Sequence, residues 1–170
     1  MKRNTDLVTF GGKPVTLKGK IVKVGQTAKN FYGLSTDLQP VSLSDHKGKV
    51  RIISSVPSVD TGVCAQQTRR FNEEAARMEN VQIITISNDL PFALGRFCAA
   101  EGIDKVITVS DQSDNDFGLK YGLLIEEYGL LARAVIVIDK EGIVRYVDLV
   151  GEIGEHPDYD KALEAVKSLL

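Results

Sequence analysis

The stretch SSVPSVDTGVCAQQTRRFNEE, residues 54–74, contains the point at which a strand pattern changes into a helical pattern. The overlapping run KVRIISSV (49–56) is rich in β-branched residues and predicts a buried strand. Pro57 ends that strand, since proline has no N–H to donate to a sheet. From Gly62 to Asn80 apolar residues recur at helical spacing: Phe71, Ala75 and Met78. The second half of the stretch is therefore predicted to be a helix whose first turn carries Cys64.

The rest of the chain continues the alternation of strands and helices. A hairpin is predicted first, across Gly11 and Gly12 (7–19). Further strands are predicted at 81–87 and 105–111, and further helices at 90–102, 115–123 and 157–170. A second hairpin is predicted from 132–139 and 142–150. The order predicts an α/β fold, a mixed sheet with helices on both faces and an N-terminal β-hairpin. A thioredoxin-like topology is the simplest way to wind it with right-handed crossovers.

Length and composition limit the classes of function. The chain has 170 residues, which predicts a single domain over 1–170. A net charge of -2 gives no electrostatic basis for binding nucleic acid or an acidic membrane. No apolar run approaches the ~20 residues that span a bilayer. The amino terminus lacks the apolar segment of a signal peptide, so we predict a cytoplasmic protein.

The two cysteines, Cys64 and Cys98, are the candidate reactive groups. In a reducing compartment a permanent structural disulfide is not expected. The plainest interpretation is two buried small apolar residues that never meet. The position of Cys64 argues against it, because unpaired N–H groups and the helix dipole in a first turn favour a thiolate over a thiol. Asp60 and Thr61 are both candidate N-caps of this helix.

Other cysteine chemistries have less support in the sequence. Gln67 stands where a C-x-x-C pair would place its second thiol. His46 and His156 lie in polar, turn-like segments and are interpreted as surface residues, although a Cys–His hydrolase stays open because such pairs need only spatial proximity. The spacing typical of a zinc site is missing. No dinucleotide or P-loop glycine motif occurs, so no bound cofactor is expected.

A family resemblance sharpens this interpretation. PSVDTGVC (57–64) fits the peroxiredoxin signature of proline, three residues, threonine, two residues and cysteine. The longer SVPSVDTGVCAQQTRRFNE resembles the bacterial thiol peroxidase branch of that family. DLPFALGRFCAAEG (89–102), LLARAVIVID (130–139) and the closing PDYDKALEAVKSLL resemble it as well. The resemblance covers nearly the whole chain.

The resemblance implies a role for each of five residues. Cys64 corresponds to the peroxidatic cysteine, which attacks the peroxide and becomes a sulfenic acid. Thr61 corresponds to the threonine whose hydroxyl contacts sulfur and peroxide, and Pro57 to the proline that shields the thiolate. Arg133 corresponds to the arginine that stabilises the thiolate; its apolar flanks favour this over a surface position. Cys98 corresponds to the resolving cysteine, which forms an intrachain disulfide with Cys64.

Partners and a conformational change also follow from the resemblance. It implies a hydroperoxide substrate, thioredoxin as the reductant and a homodimer. The apolar segment FGLKYGLLIEEYGLL (117–131) is either a dimer contact or ordinary core. A disulfide needs Cα atoms within ~7 Å, which two intact helices rarely allow, so we predict local unwinding at one cysteine. Two other functions stay open: a peroxide sensor that oxidises a partner protein, and a binding module with inert cysteines.

Overall fold

Two β-sheets and four α-helices organise the chain, and the computed structural model describes all residues from 1 to 170. The strands are β1 Arg3–Phe10, β2 Lys13–Lys18, β3 Tyr32–Leu34, β4 Pro40–Ser42, β5 Val50–Ser55, β6 Val81–Ser87, β7 Ile107–Ser110, β8 Leu124–Ile125, β9 Leu130–Leu131, β10 Ala134–Ile138 and β11 Val144–Leu149. The helices are α1 Gly62–Ala75, α2 Pro91–Glu101, α3 Asp116–Tyr121 and α4 Tyr159–Lys167, and a short 3-10 helix covers Leu43–His46.

The larger sheet has seven strands in the order β11-β10-β5-β6-β7-β3-β4. β5, β6 and β7 are parallel, whereas β10 runs antiparallel to both β5 and β11. The predicted mixed sheet is therefore confirmed. The predicted N-terminal hairpin, β1 and β2, is also present, and it joins β8 and β9 in a second sheet of four strands.

The two faces of the larger sheet are covered by different elements. Ile52 and Ile53 of β5 belong to different core clusters, since successive residues of a strand point to opposite faces. The Ile52 cluster includes Phe71 of α1 and Leu163 of α4. The Ile53 cluster includes Phe117 of α3 and side chains of the second sheet. The predicted packing of helices on both faces is confirmed.

Several boundaries differ from the sequence-based expectation. The helix predicted to reach Asn80 ends at Ala75, and Asn80 takes a positive φ of 60°. The last helix begins at Tyr159 rather than Pro157, because the side chain of Asp158 accepts the N–H of Lys161 and caps it. The short strands β3, β8 and β9 were not predicted.

The segment 117–131 packs mainly into the core of its own chain. It contains α3, β8 and β9, and its buried side chains join the cluster on the Ile53 face. Among its large apolar side chains Tyr128 is the exception at 60% exposed, and its ring centroid lies 5.5 Å from that of Phe10. This burial favours the core interpretation of the segment, and the homodimer stays a prediction. None of the helices has the length and apolar character needed to cross a bilayer.

Candidate active site

The turn between β5 and α1 delivers Cys64 to the interior. Val56 makes the last sheet contact, donating its N–H to the carbonyl of Ile86 at 3.1 Å, and the buried Pro57 then leaves the sheet. Thr61 occupies the N-cap position with extended backbone angles, although its side chain makes no cap hydrogen bond. Cys64 follows in the first helical turn and is 0% exposed. The predicted placement of this cysteine is confirmed.

Asp89 ties this turn to the end of β6. Its carboxylate accepts hydrogen bonds from the hydroxyl of Ser58 at 2.7 Å, the N–H of Val59 at 2.9 Å and the hydroxyl of Ser87 at 2.8 Å. Three donors on one carboxylate hold the turn that leads into α1. Sequence reasoning missed this residue, and the available signal was an acidic side chain just after a strand.

Arg133 is the only hydrogen-bond partner of the Cys64 sulfur. It immediately precedes β10, is 1% exposed, and its Nη2 donates to Sγ at 3.2 Å. None of the salt bridges of the chain involves Arg133. A buried cation is costly without a counter-charge, and the only side chains that accept hydrogen bonds from this guanidinium are those of Gln67 and Cys64. The surface interpretation of Arg133 is excluded.

Two further groups hold Arg133 in place. Gln67 accepts from Nη1 at 3.0 Å and donates its own Nε2 to the hydroxyl of Ser54 at 2.8 Å. The carbonyl of Ile153 accepts from Nε at 2.9 Å. Gln67 is fully buried, and its spacing of three from Cys64 puts both on one helix face. Sequence reasoning used Gln67 only as the absence of a second cysteine, although that spacing could have revealed it.

A cavity of about 320 Å³ opens beside Arg133. We call it the Cys64 cavity because Arg133, which contacts the Cys64 sulfur, lines it, although Cys64 itself does not. The other lining residues include Phe10, Thr61, Val63, Glu152 and Ile153. The N-terminal hairpin therefore forms part of its wall, which the sequence did not indicate. Mainly apolar surface lines this cavity, so it offers room beside the guanidinium for a small molecule with an apolar part.

Glu152 fastens the hairpin to this cavity. Its carboxylate accepts the N–H of Gly154 at 3.0 Å, the N–H groups of Gly12 and Gly11 at 2.8 and 3.3 Å, and the hydroxyl of Thr9 at 3.0 Å. These donors, the Gly154 and Gly12 amides foremost, lower the pKa of Glu152 from 4.5 to about 2. The adjacent Ile153 carbonyl holds Arg133, so one short loop connects the hairpin with the guanidinium.

Thr61 lines the Cys64 cavity without touching the sulfur. Its hydroxyl donates to the carbonyl of Ser58 at 3.1 Å, and its backbone N–H reaches the same carbonyl at 3.2 Å. The side chain is exposed. The expected contact between the Thr61 hydroxyl and the thiol group is therefore not made in this arrangement, and the role of Thr61 stays a prediction.

Cys98 lies in a different environment from Cys64. Both cysteines are free, and the sulfur of Cys98 is 3.3 Å from the hydroxyl of Thr108 on β7. Cys98 lines a second cavity, of about 280 Å³, that shares no lining residue with the Cys64 cavity. Leu94 and Phe97 of the same helix pack in the cluster that contains Cys64. The two sulfurs are not brought together.

The histidines do not join the site. No hydrogen bond connects either histidine with Cys64, and His156 instead contacts the hydroxyl of Tyr159 at 2.8 Å. His156 is exposed as expected, but His46 is half-buried in the 3-10 helix, which corrects its interpretation as a surface residue. Burial lowers the pKa of His46, with Asp45 acting in the opposite direction. No group of three or more His, Cys, Asp and Glu side chains is arranged to hold a metal ion.

Comparison with known proteins decides the family. The redoxin family profile matches residues 23–163. The chain belongs to the redoxin family. Among redoxins it is 57% identical over 156 residues to a thiol peroxidase of Oceanobacillus iheyensis, covering 92% of this chain and 95% of the relative. It is 55% identical over 163 residues to a thiol peroxidase of Bacillus subtilis, covering 96% and 98%. The resemblance to bacterial thiol peroxidases of the peroxiredoxin family is confirmed.

Solved redoxin structures agree with the fold. A peroxiredoxin-like protein from Aquifex aeolicus superposes with a TM-score of 0.92 at 44% identity, covering 100% of both chains. A thiol peroxidase from Chromobacterium violaceum superposes with a TM-score of 0.83, covering 95% of each chain; at 22% identity it supports the fold alone. The thioredoxin-like fold class is confirmed.

Proposed function

We propose that this redoxin reduces hydrogen peroxide and organic hydroperoxides with Cys64 as the nucleophile. The observation that carries the proposal is the buried Arg133, which has no carboxylate partner and donates to the Cys64 sulfur at 3.2 Å. A guanidinium that is already aligned with the reacting sulfur costs no reorganisation when the reaction begins. The mainly apolar Cys64 cavity favours an organic substituent as well as hydrogen peroxide.

Family membership supports the coarser statement by itself. The chain is a thiol-dependent peroxidase, an oxidoreductase that takes a hydroperoxide substrate and a thiol reductant. The residues that carry the activity, the disulfide step and the identity of the reductant belong to the proposal.

The first chemical step is a displacement at oxygen. The Cys64 thiolate attacks the terminal oxygen of the hydroperoxide, an S–O bond forms, and the O–O bond breaks. The sulfur gains the hydroxyl as a sulfenic acid, and the leaving alkoxide takes up a proton to become an alcohol, or water when the substrate is hydrogen peroxide. Arg133 stabilises both the thiolate and the charge that develops on oxygen. Pro57 and the apolar neighbours of Cys64 limit the access of water to the sulfur.

The second step joins the two cysteines. The thiol of Cys98 attacks the sulfenic sulfur, water leaves, and an intrachain disulfide forms. Cys98 faces Thr108, while Leu94 and Phe97 pack beside Cys64, so these contacts must break before the sulfurs meet. Local unwinding of α2 or of the first turn of α1 is therefore part of the proposal. Gly95 and Gly102 lower its cost in α2.

Reduction of the disulfide by thioredoxin completes the cycle. The dithiol of thioredoxin becomes a disulfide, and Cys64 and Cys98 return to thiols. We propose that all of these steps take place within a single domain that covers residues 1–170. Thioredoxin as the physiological reductant, the homodimer and the cytoplasmic location stay predictions.

The decisive experiment couples peroxide reduction to NADPH consumption through thioredoxin and thioredoxin reductase. Wild type and the variants Cys64→Ser and Cys98→Ser are compared with hydrogen peroxide and cumene hydroperoxide. We expect Cys64→Ser to abolish turnover. Cys98→Ser should form a sulfenic acid once, detectable with a dimedone probe, and then stop.

The outcomes separate the remaining functions. A binding module with inert cysteines predicts no dimedone adduct in any variant. A peroxide sensor predicts the adduct and slow turnover with thioredoxin. Turnover that persists in Cys64→Ser would remove Cys64 from the mechanism.

A further inference from the structure

A second buried arginine, Arg51, lacks both a counter-charge and most of its hydrogen bonds. Arg51 lies at the start of β5 and is 3% exposed. Its Nη2 donates to the backbone carbonyl of Asp139 at 3.1 Å, whereas its Nε is buried without any partner. It takes part in none of the salt bridges of the chain. Buried charges are normally paired, so this arginine requires an explanation.

The nearby carboxylate of Asp139 is engaged elsewhere. It accepts the Nε of Arg145 at 2.7 Å and the N–H groups of Ile143 and Glu141 at 2.9 and 3.0 Å. Burial lowers the pKa of Arg51, and the negative charge of Asp139 opposes this change without cancelling it. The protein itself therefore leaves the guanidinium undercompensated.

Arg51 lines a cavity of about 260 Å³, which we call the Arg51 cavity. Lys47 and Lys140 line it too, and Glu141 is its only acidic residue. Asn30 and Ser44 add polar groups to the wall. The lining thus carries three formal positive charges against one negative. Its volume exceeds the ~30 Å³ share of a single water several times.

We propose that the Arg51 cavity binds a small oxyanion of the phosphate class, with Arg51, Lys47 and Lys140 as its cationic ligands. The planar guanidinium matches the geometry of phosphate oxygens, and lysine ammonium groups bind phosphate as point charges. A bound oxyanion supplies the missing acceptor and the missing negative charge at once.

This cavity is separate from the Cys64 cavity. Arg51 pairs with Ile138 at one end of the β5–β10 ladder, whereas Ala134, next to Arg133, pairs with Ser55 at the other end. The two cavities share no lining residue. The proposal therefore goes beyond peroxide reduction and does not depend on it.

Thermal unfolding of the full chain tests the proposal. The melting temperature is followed by circular dichroism as sodium phosphate replaces sodium chloride at constant ionic strength. We expect a saturable rise, reaching several degrees at about 100-fold excess over Kd. A parallel series with AMP distinguishes free phosphate from the phosphate group of a larger metabolite. A melting temperature that responds to neither overturns the proposal, since buried water then accounts for the unpaired Nε.

Two variants localise the effect. The double variant Lys47→Ala/Lys140→Ala should lose at least half of the phosphate-dependent rise while keeping full peroxidase activity. Arg51→Met, which keeps the length of the side chain, should lose the rise completely. The matched control Lys13→Ala/Lys105→Ala removes the same charge from two exposed lysines elsewhere and should respond like wild type. An equal rise in all four proteins means that phosphate acts non-specifically, and the proposal fails.

Discussion

The two ends of the β5–β10 strand pair each carry a buried arginine, and the arginines differ in what surrounds them. Each of the three guanidinium nitrogens of Arg133 donates a hydrogen bond. The acceptors are the Ile153 carbonyl for Nε, the Gln67 side chain for Nη1 and the Cys64 sulfur for Nη2. Arg51 has one acceptor and an unpartnered Nε. Neither makes a salt bridge.

The difference shows how this fold handles a buried cation. At the Cys64 end we propose that the negative charge comes from the chain itself, as the thiolate of the nucleophile. At the Arg51 end the chain supplies no such group, so an anion must come from solution. The same physical requirement thus underlies both the proposed thiolate at one end and the proposed ligand site at the other.

Removal of the guanidinium at the Cys64 end is expected to have the largest effect. Arg133→Met should slow formation of the Cys64 sulfenic acid by about 10²-fold or more, since donors aligned with a reacting centre have effects of that size. Stopped-flow measurement with hydrogen peroxide checks this. Arg69→Met, at a half-exposed position of α1, is the matched control and should react like wild type. A wild-type rate in Arg133→Met would mean that Cys64 does not depend on this cation.

Supplying Arg133 with a carboxylate tests whether this arginine needs the sulfur as its anion. Gln67→Glu places an anion where the Gln67 oxygen accepts from Nη1, and it competes with the thiolate for the positive charge. We expect sulfenic acid formation to slow by about 10-fold at neutral pH, because one charge-assisted hydrogen bond shifts equilibria by that order. Gln67→Leu is the comparison variant: it leaves the Ser54 hydroxyl and Nη1 of Arg133 without a partner and should lose stability instead.

Supplying Arg51 with a carboxylate is the corresponding test at the other end. A Cβ at Gly142 would lie 3.9 Å from Nη2 of Arg51, at a position with φ +86°. Gly142→Asp and Gly142→Asn share the same backbone strain and differ only in charge. In phosphate-free buffer the Asp variant should be more stable than the Asn variant by about 1 kcal/mol, measured by urea unfolding. The Asp variant should also lose the phosphate response, and equal stability would argue that Arg51 needs no anion.

The smallest expected effect concerns the hairpin at the Cys64 end. Because the pKa of Glu152 falls from 4.5 to about 2 on folding, its contribution is complete above pH 4.5 and is lost as the pH drops towards 2. Glu152→Gln should therefore flatten the loss of stability between about pH 5 and pH 3, as measured by urea unfolding. The exposed neighbour Glu155 provides the control variant Glu155→Gln. An unchanged pH profile in Glu152→Gln would show that the hydrogen bonds of the Glu152 carboxylate do not contribute to stability.

Sequence reasoning reached the parts of the fold and site that depend on local patterns. The change of period around Pro57 predicted the turn, and Cys64 lies in the first helical turn as expected. β-branched runs predicted β5, β6, β7 and both strands of the last hairpin. The two-residue strands β8 and β9 were not predicted, because they are too short to show the alternation of apolar and polar residues. The end of α1 was placed too late, since helix boundaries depend on local capping rather than on the apolar pattern.

Local sequence patterns did not predict contacts between residues that are distant along the chain. Gln67 and Asp89 have ordinary sequence surroundings, and their importance comes from partners on other elements. The half-buried position of His46 and the turning away of the Thr61 hydroxyl from the sulfur also depend on packing.

Residues that are close along the chain were enough to predict where a helix begins, that a cysteine stands in its first turn, and which family the signature resembles. Which groups meet that cysteine depends on tertiary packing. Arg133, 69 positions away along the chain, donates a hydrogen bond to the cysteine sulfur. The hairpin at residues 9–12 is held beside the Cys64 cavity by its hydrogen bonds to Glu152. A buried charge needs partners on every side, and packing brings those partners from strands and loops that no local pattern connects.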